Sequence, residues 1–147
     1  DKIGLRPLKG IPDTFDAKAF IAMIEKLKEP TGSSVFSPLF DRSIEASIAD
    51  GIEVKPDVSI VVVEGNYLLL DLKPWNQLKS LFDEIWYLHV PMDVVLPRLL
   101  SRHIAGGKDE AGARAKVQST DLPNAQLVEQ YRHRATRTIM LGGSGIR

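Results

Sequence analysis

The 147 residues carry 19 Lys plus Arg against 19 Asp plus Glu, with 44% hydrophobic and 26% charged residues, the composition of one ordinary globular domain. A formal charge of zero offers no global field to nucleic acid or an anionic membrane, so any anion site has to be local. No cysteine occurs, which excludes disulfides and thiolate metal sites, and no apolar run is long enough to span a bilayer or act as a signal peptide.

The expected setting is cytoplasmic, and Asp1 in place of Met is what a start inside a longer protein would give. Gly and Pro in and around "KGIPDTFD" make the first 14 residues a loop. Asp16 can cap a helix that carries Phe20, Ile21, Ile24 and Leu27 on one face and is stopped by Pro30. "TGSSVFSPLFDRS" reads as a loop with a short strand at Val35–Phe36. "SIVVV" (59–63) is β-branched and continuously apolar, the pattern of a parallel strand covered on both faces. Pro74 opens a short helix with Trp75, Leu78 and Leu81 at helical spacing. "EIWYLHV" (84–90) is a second central strand. Asp93 can cap a helix through "VVLPRLLSRHI", provided that Pro97 falls in its first turn. "GGK" (106–108) breaks that helix, residues 109–118 and 122–134 form two more, and "TRTIML" (136–141) is a last strand before a flexible tail, 142–147. Helices alternating with strands predict one α/β layered domain over 1–147.

Ligands in such folds gather beyond the carboxyl ends of parallel strands. "VVVEGNYLLL" (61–70) interrupts an apolar run with Glu64 and Gly65 at that end of the predicted strand. A carboxylate there can hold Mg²⁺ directly or through a water, and a glycine admits a ligand close to the backbone. A strand-end acid hydrogen-bonded to a loop is the structural alternative. In "RLLSRHIAGGK", Arg98 and Arg102 stand four apart on one helix face, where they could grip one polyphosphate or form a solvated basic face. Gly106, Gly107 and Lys108 after them have the composition of a mobile flap, and His103 alone reads as a packing or surface histidine.

"VVVEGNYLLL", "DEIWYLHVPMDVVLPRLLSRHIAGGK", "DLPNAQLV" and "LKGIPDTFD" together resemble the uridine kinase, phosphoribulokinase and pantothenate kinase superfamily over about residues 5–141. The nearest branch is that of bacterial nucleoside or nucleotide kinase-like proteins, some called fructose transport system kinases. The resemblance implies a three-layer P-loop NTPase-type fold, a parallel sheet with helices on both faces. It implies transfer of the γ-phosphoryl of ATP to a small-molecule hydroxyl, with ATP and Mg²⁺ as cofactors. It places Glu64 as the acid that assists Mg²⁺, Arg98 and Arg102 as lid arginines within a lid at 91–120, and Gly65, His103 and Lys108 on the nucleotide side. Lys9, Phe36, Asp41, Arg42, Asn66 and Tyr67 become acceptor-side candidates, of which Phe36, Asp41 and Arg42 equally fit a loop anchored by aromatics with an Asp–Arg surface pair. The implied partner is a nucleoside-, sugar- or pantothenate-like acceptor, with no nucleic acid and no membrane, and a homodimer is left open.

The departures are specific. No G-x-x-x-x-G-K-[ST] occurs in the 147 residues, and neither does the family's Asp-Gly-Phe-His or Asp-x-Phe-Tyr segment with the catalytic base. The expectation is therefore the C-terminal two-thirds of a kinase, without its P-loop strand and inactive by itself. Gly10 stands where uridine kinases carry a ribose-binding Asp, which favours a different hydroxyl compound. A non-catalytic metabolite-binding module and a structural or interaction domain on the same scaffold are the alternatives.

Overall fold

The computed structural model describes residues 10–29, 32–41, 43–44 and 46–141, which fall into two compact units. The first runs from Asp16 to Gly65; the second comprises 66–141 with 10–15.

In the first unit the Asp16 carboxylate accepts the Ala19 N–H at 3.0 Å and starts α1, Ala17–Lys28. Ala17, Ile21 and Ile24 recur at helical spacing and are buried, as the apolar pattern predicts. Strands β1, Val35–Asp41, and β2, Ala46–Val54, form an antiparallel hairpin in which Val35 faces Val54 and Asp41 faces Ala46. The strand therefore extends well beyond the Val35–Phe36 segment that the sequence predicts. Two local irregularities hide the rest. Pro38 cannot donate to the ladder, and the register shifts between Ser37 and Leu39. Asp50, with φ 55°, and Gly51 read as a turn, yet lie inside β2. A Cβ on Gly51 would come within 2.5 Å of the Leu39 Cβ, so this close approach of the two strands requires glycine.

The run "SIVVV" corrects an expectation. It enters no ladder: residues 59–66 have no backbone hydrogen-bond partner among the described residues, and Ile60 and Val62 are 78% and 89% exposed. A β-branched apolar run becomes a covered central strand only where strands flank it and helices cap both faces, and no described residue supplies the flanking strand.

The second unit holds most of the buried apolar residues: Tyr67, Leu69, Leu70, Trp75, Leu78, Ile85, Ala113 and Val117. Phe15, Tyr67 and Trp75 meet edge-on or tilted, with centroids 5.7–6.3 Å apart. A 3₁₀ turn at Trp75–Gln77 leads into the short helix α2, Leu78–Leu81. Strand β3, Trp86–His89, pairs in parallel with β4, Arg137–Met140, from Trp86↔Arg137 to His89↔Met140. Thr136 starts this ladder by accepting the Ile85 N–H and donating to the Ile85 carbonyl, both at 2.9 Å.

Helix α3, Met92–Ala105, begins earlier than Asp93 as a cap would give, so Pro97 lies in its second turn. The missing N–H forfeits the bond to the Asp93 carbonyl, and Pro97 stands on the exposed side of the helix, where water can serve that carbonyl instead. Helix α4, Glu110–Lys116, is capped by Asp109, whose carboxylate accepts the Gly112 N–H at 2.9 Å. The chain does not break between α4 and α5, Leu122–Gln130; it passes through one wide π turn, Val117–Asp121. Pro123 cannot donate to the carbonyl four residues back, at Ser119, which is a local cause for the widened ladder. Among the described residues no helix is long and apolar enough to cross a membrane.

Candidate functional site

Helix α3 carries Arg98 and Arg102 one turn apart, both exposed. Arg98 makes no ion pair among the described residues, which leaves its guanidinium available. Arg102 is 67% exposed and stands 3.9 Å from the Asp121 carboxylate. Its neighbour His103 is more sheltered and holds the other oxygen of the same carboxylate through Nε2 at 2.6 Å. The helix ends at Gly106, and Gly107 turns the chain with φ 91°, a conformation that L side chains rarely adopt. Lys108 follows, exposed, its backbone N–H donating to the His103 carbonyl at 3.1 Å. Arg102 and Lys108 therefore lie at one helix end, with Arg98 one turn before Arg102 and the Asp121 carboxylate beside Arg102.

The Gly10 loop is fixed from the same unit. Gly10 adopts φ 106°, and its N–H donates to Thr14 Oγ1 at 3.1 Å. Its carbonyl accepts from the Tyr67 hydroxyl and from Asn124 Nδ2, the latter at 3.3 Å. Tyr67 is 2% exposed, and burial first, then the Asp121 charge, raises its hydroxyl above the ordinary tyrosine range. A neutral, buried phenol aimed at a backbone carbonyl is a clamp on the loop. Asn66 is exposed beside it, while Lys9 lies outside the described residues.

Glu64 and Gly65 close the unpaired apolar run of the other unit and are exposed, and the Glu64 carboxylate has no hydrogen bond or ion pair among the described residues. No cluster of three metal-ligating side chains exists among the described residues. Phe36 is half exposed and lines a cavity of about 440 Å³ with Lys26, Ser34 and Asp50. Asp41 is not in that lining. Its carboxylate accepts the Ser43 hydroxyl at 2.6 Å and the Ser43 N–H at 2.8 Å, and those bonds hold it below the usual carboxylate range. Arg42, and with it the expected Asp–Arg pair, lies outside the described residues.

Three residues here have no role in the sequence reading. Asp121 and Asn124 sit in "DLPNAQLV", where polar residues flanking a proline at a helix junction were the available signal. Arg134 is 8% exposed. It donates to the Leu69 and Asn76 carbonyls, both at 3.2 Å, and pairs with Asp71 at 3.0 Å, fastening the loop between Tyr67 and Trp75. An arginine in a polar "RHRATR" stretch gives no hint of such burial.

No family model matches the chain. It is 32% identical over 129 residues to the ATP-dependent kinase-like protein notR' of Aspergillus versicolor, covering 84% of this chain and 75% of that protein. It is 35% identical to a candidate uridine kinase of Schizosaccharomyces pombe, covering 85% of this chain and 54% of the relative. A candidate fructose transport system kinase from Silicibacter sp. superposes with TM-score 0.83 at 38% identity, over 92% of this chain and 65% of that one. A P-loop-containing kinase candidate from Saccharomyces cerevisiae, described as circularly permuted, superposes with TM-score 0.78 at 22% identity over 96% of this chain and 51% of its own length, a likeness of fold. The chain thus spans between half and three-quarters of these four relatives. Its architecture is theirs, a parallel sheet flanked by helices, of which β3 and β4 are the strands paired here. The chain belongs to the P-loop kinases of the uridine kinase, phosphoribulokinase and fructose-transport-kinase branch.

Proposed function

We propose that this chain is the lid- and acceptor-bearing part of an ATP-dependent kinase that phosphorylates a hydroxyl of a nucleoside-, sugar- or pantothenate-like small molecule. The observation that carries the reading is the 32% identity to an ATP-dependent kinase-like protein over 84% of the chain. In such a transfer the acceptor oxygen bonds to the γ-phosphorus as the bond to the ADP oxygen breaks, and catalysis is mainly positioning and charge neutralisation. Mg²⁺, when bound with the nucleotide, neutralises phosphate charge. Glu64 is the residue that would hold it, directly or through water. Arg98 and Arg102, exposed on α3, supply planar donors for the phosphoryl oxygens, with Lys108 as a further charge at the flap. The Gly10 loop, clamped by Tyr67 and Asn124, borders the acceptor side together with Lys9 and Asn66, while Phe36 lines the cavity of the other unit. The hydroxyl proton needs a base, and the family segment that bears it does not occur in these 147 residues.

A non-catalytic metabolite-binding module on the same scaffold is the second reading. Kinetics separate the two. In the complete kinase (this chain together with the phosphate-binding loop of its parent protein) Arg102→Lys keeps the charge and loses the fork. Turnover of MgATP with an accepted hydroxyl compound is expected to fall roughly 10²-fold with folding unchanged. Arg98→Lys is expected to have the smaller effect. Near wild-type rates for both would leave a solvated basic face.

A further inference from the structure

We propose that Asp121 and Asn124 are a positioning pair, Asp121 seating the lid arginine Arg102 and Asn124 seating the acceptor-side loop at Gly10. The proposal rests on the reading of α3 as a lid over phosphate. The two residues stand three apart at the start of α5, the spacing that puts side chains on one helix face. From that short stretch Asp121 reaches α3 and Asn124 reaches the Gly10 loop.

The two bonds to Asp121 differ in kind. His103 to Asp121 is short, 2.6 Å, with side chains 15% and 18% exposed, so the carboxylate is fixed by a sheltered hydrogen bond. Arg102, 67% exposed, faces the other oxygen at 3.9 Å. That distance is too long for a direct hydrogen bond, and solvent screens the attraction. Arg102 is thereby oriented without being locked, and a phosphate can take it over. The π turn that precedes α5 ends on Asp121, a placement frequent at functional sites. On the other side, Gly10 holds a positive φ that its own sequence does not enforce, and its carbonyl has two side-chain donors, Tyr67 and Asn124. Removing Asn124 leaves one of them.

The separation of roles is the testable content. The complete kinase is titrated calorimetrically with MgATP as wild type, Arg102→Lys, Asp121→Asn, the double variant and Asn124→Ala. If Asp121 acts through Arg102, Arg102→Lys and Asp121→Asn each weaken MgATP by at least about five-fold, and the double variant binds within about two-fold of Arg102→Lys alone. Asn124→Ala leaves MgATP affinity within about two-fold of wild type, and instead speeds amide hydrogen exchange in residues 10–15, which Asp121→Asn does not. A double variant weakened by the product of the single effects overturns the proposal while leaving the lid reading intact. So does an Asp121→Asn protein that binds like wild type, or an Asn124→Ala protein weakened like Asp121→Asn. No effect of Arg102→Lys itself overturns both. Should Asp121→Asn fail to fold, His103→Gln, which loosens the carboxylate without removing it, is combined with Arg102→Lys and judged by the same non-additivity.

Discussion

Residues 66–141 hold most of the buried apolar side chains, with Leu70 and Leu78 wholly inside and Tyr67, Trp75 and Ile85 close to it, although Leu72, Met92 and Ile104 are 40–47% exposed. In residues 16–65 burial is confined to the Ala17, Ile21, Ile24 face of α1, while Phe36, Leu39, Phe40, Ile44, Ile48 and Ile52 of the hairpin are 40–62% exposed and Ile60 and Val62 more so. The two regions are built from similar residues. They differ in what lies opposite: the first closes on its own helices and on the buried Arg134, whereas the second presents a two-stranded hairpin and an unpaired run, forms that are marginal without further strands. Apolar composition predicts that a segment seeks burial, and the partners present decide whether it is achieved.

A matched pair of substitutions in the 147-residue chain tests whether packing differs between the two regions as described. Leu70→Ala, at a site with 0% exposure, is expected to cost about 2–5 kcal/mol in denaturant unfolding. Val62→Ser, at 89% exposure, is expected to stay within about 0.5 kcal/mol of wild type. A Val62 cost comparable with that of Leu70 would show that the 59–63 run is buried in solution.

A smaller effect tests the interior of the better-packed region. Tyr87 donates to Glu129, tying β3 to α5, and burial first, then that carboxylate, pushes its hydroxyl from an ordinary value of 10 up to about 12. The folded state favours the neutral phenol. Its contribution to stability is therefore fully present below about pH 10 and is lost as the pH rises toward 12. Urea midpoints of wild type and Tyr87→Phe are expected to converge across that window. A constant gap would place the Tyr87 hydroxyl outside the Glu129 contact.

How much of this was legible depended on how local the cause was. The amphipathic face of α1, the parallel strands at Trp86–His89 and Arg137–Met140 and the end of α3 at Gly106 follow from spacing and from glycine, and they form as read. The hairpin was not legible, because Pro38 and Asp50–Gly51 mimic loop chemistry inside strands. "SIVVV" carried the right period for a strand, but a ladder needs a partner that the run itself cannot encode. The placing of Arg98 and Arg102 one turn apart on an exposed helix face was legible from i, i+4 spacing. Asp121, Asn124 and Arg134 were not, since their partners lie 18 to 114 residues away in sequence. Tyr67, expected at the acceptor, is placed with its hydroxyl on the Gly10 carbonyl.

Under the proposed function Glu64, exposed and without a partner among the described residues, serves a metal-bound phosphate and not the fold. Glu64→Gln in the complete kinase keeps the shape of the side chain and removes its charge. Steady-state turnover of MgATP, measured beside the melting temperature, is predicted to fall by roughly two orders of magnitude or more while the melting temperature barely moves. Preserved turnover with a large loss of stability would contradict the claim and make Glu64 a structural anchor.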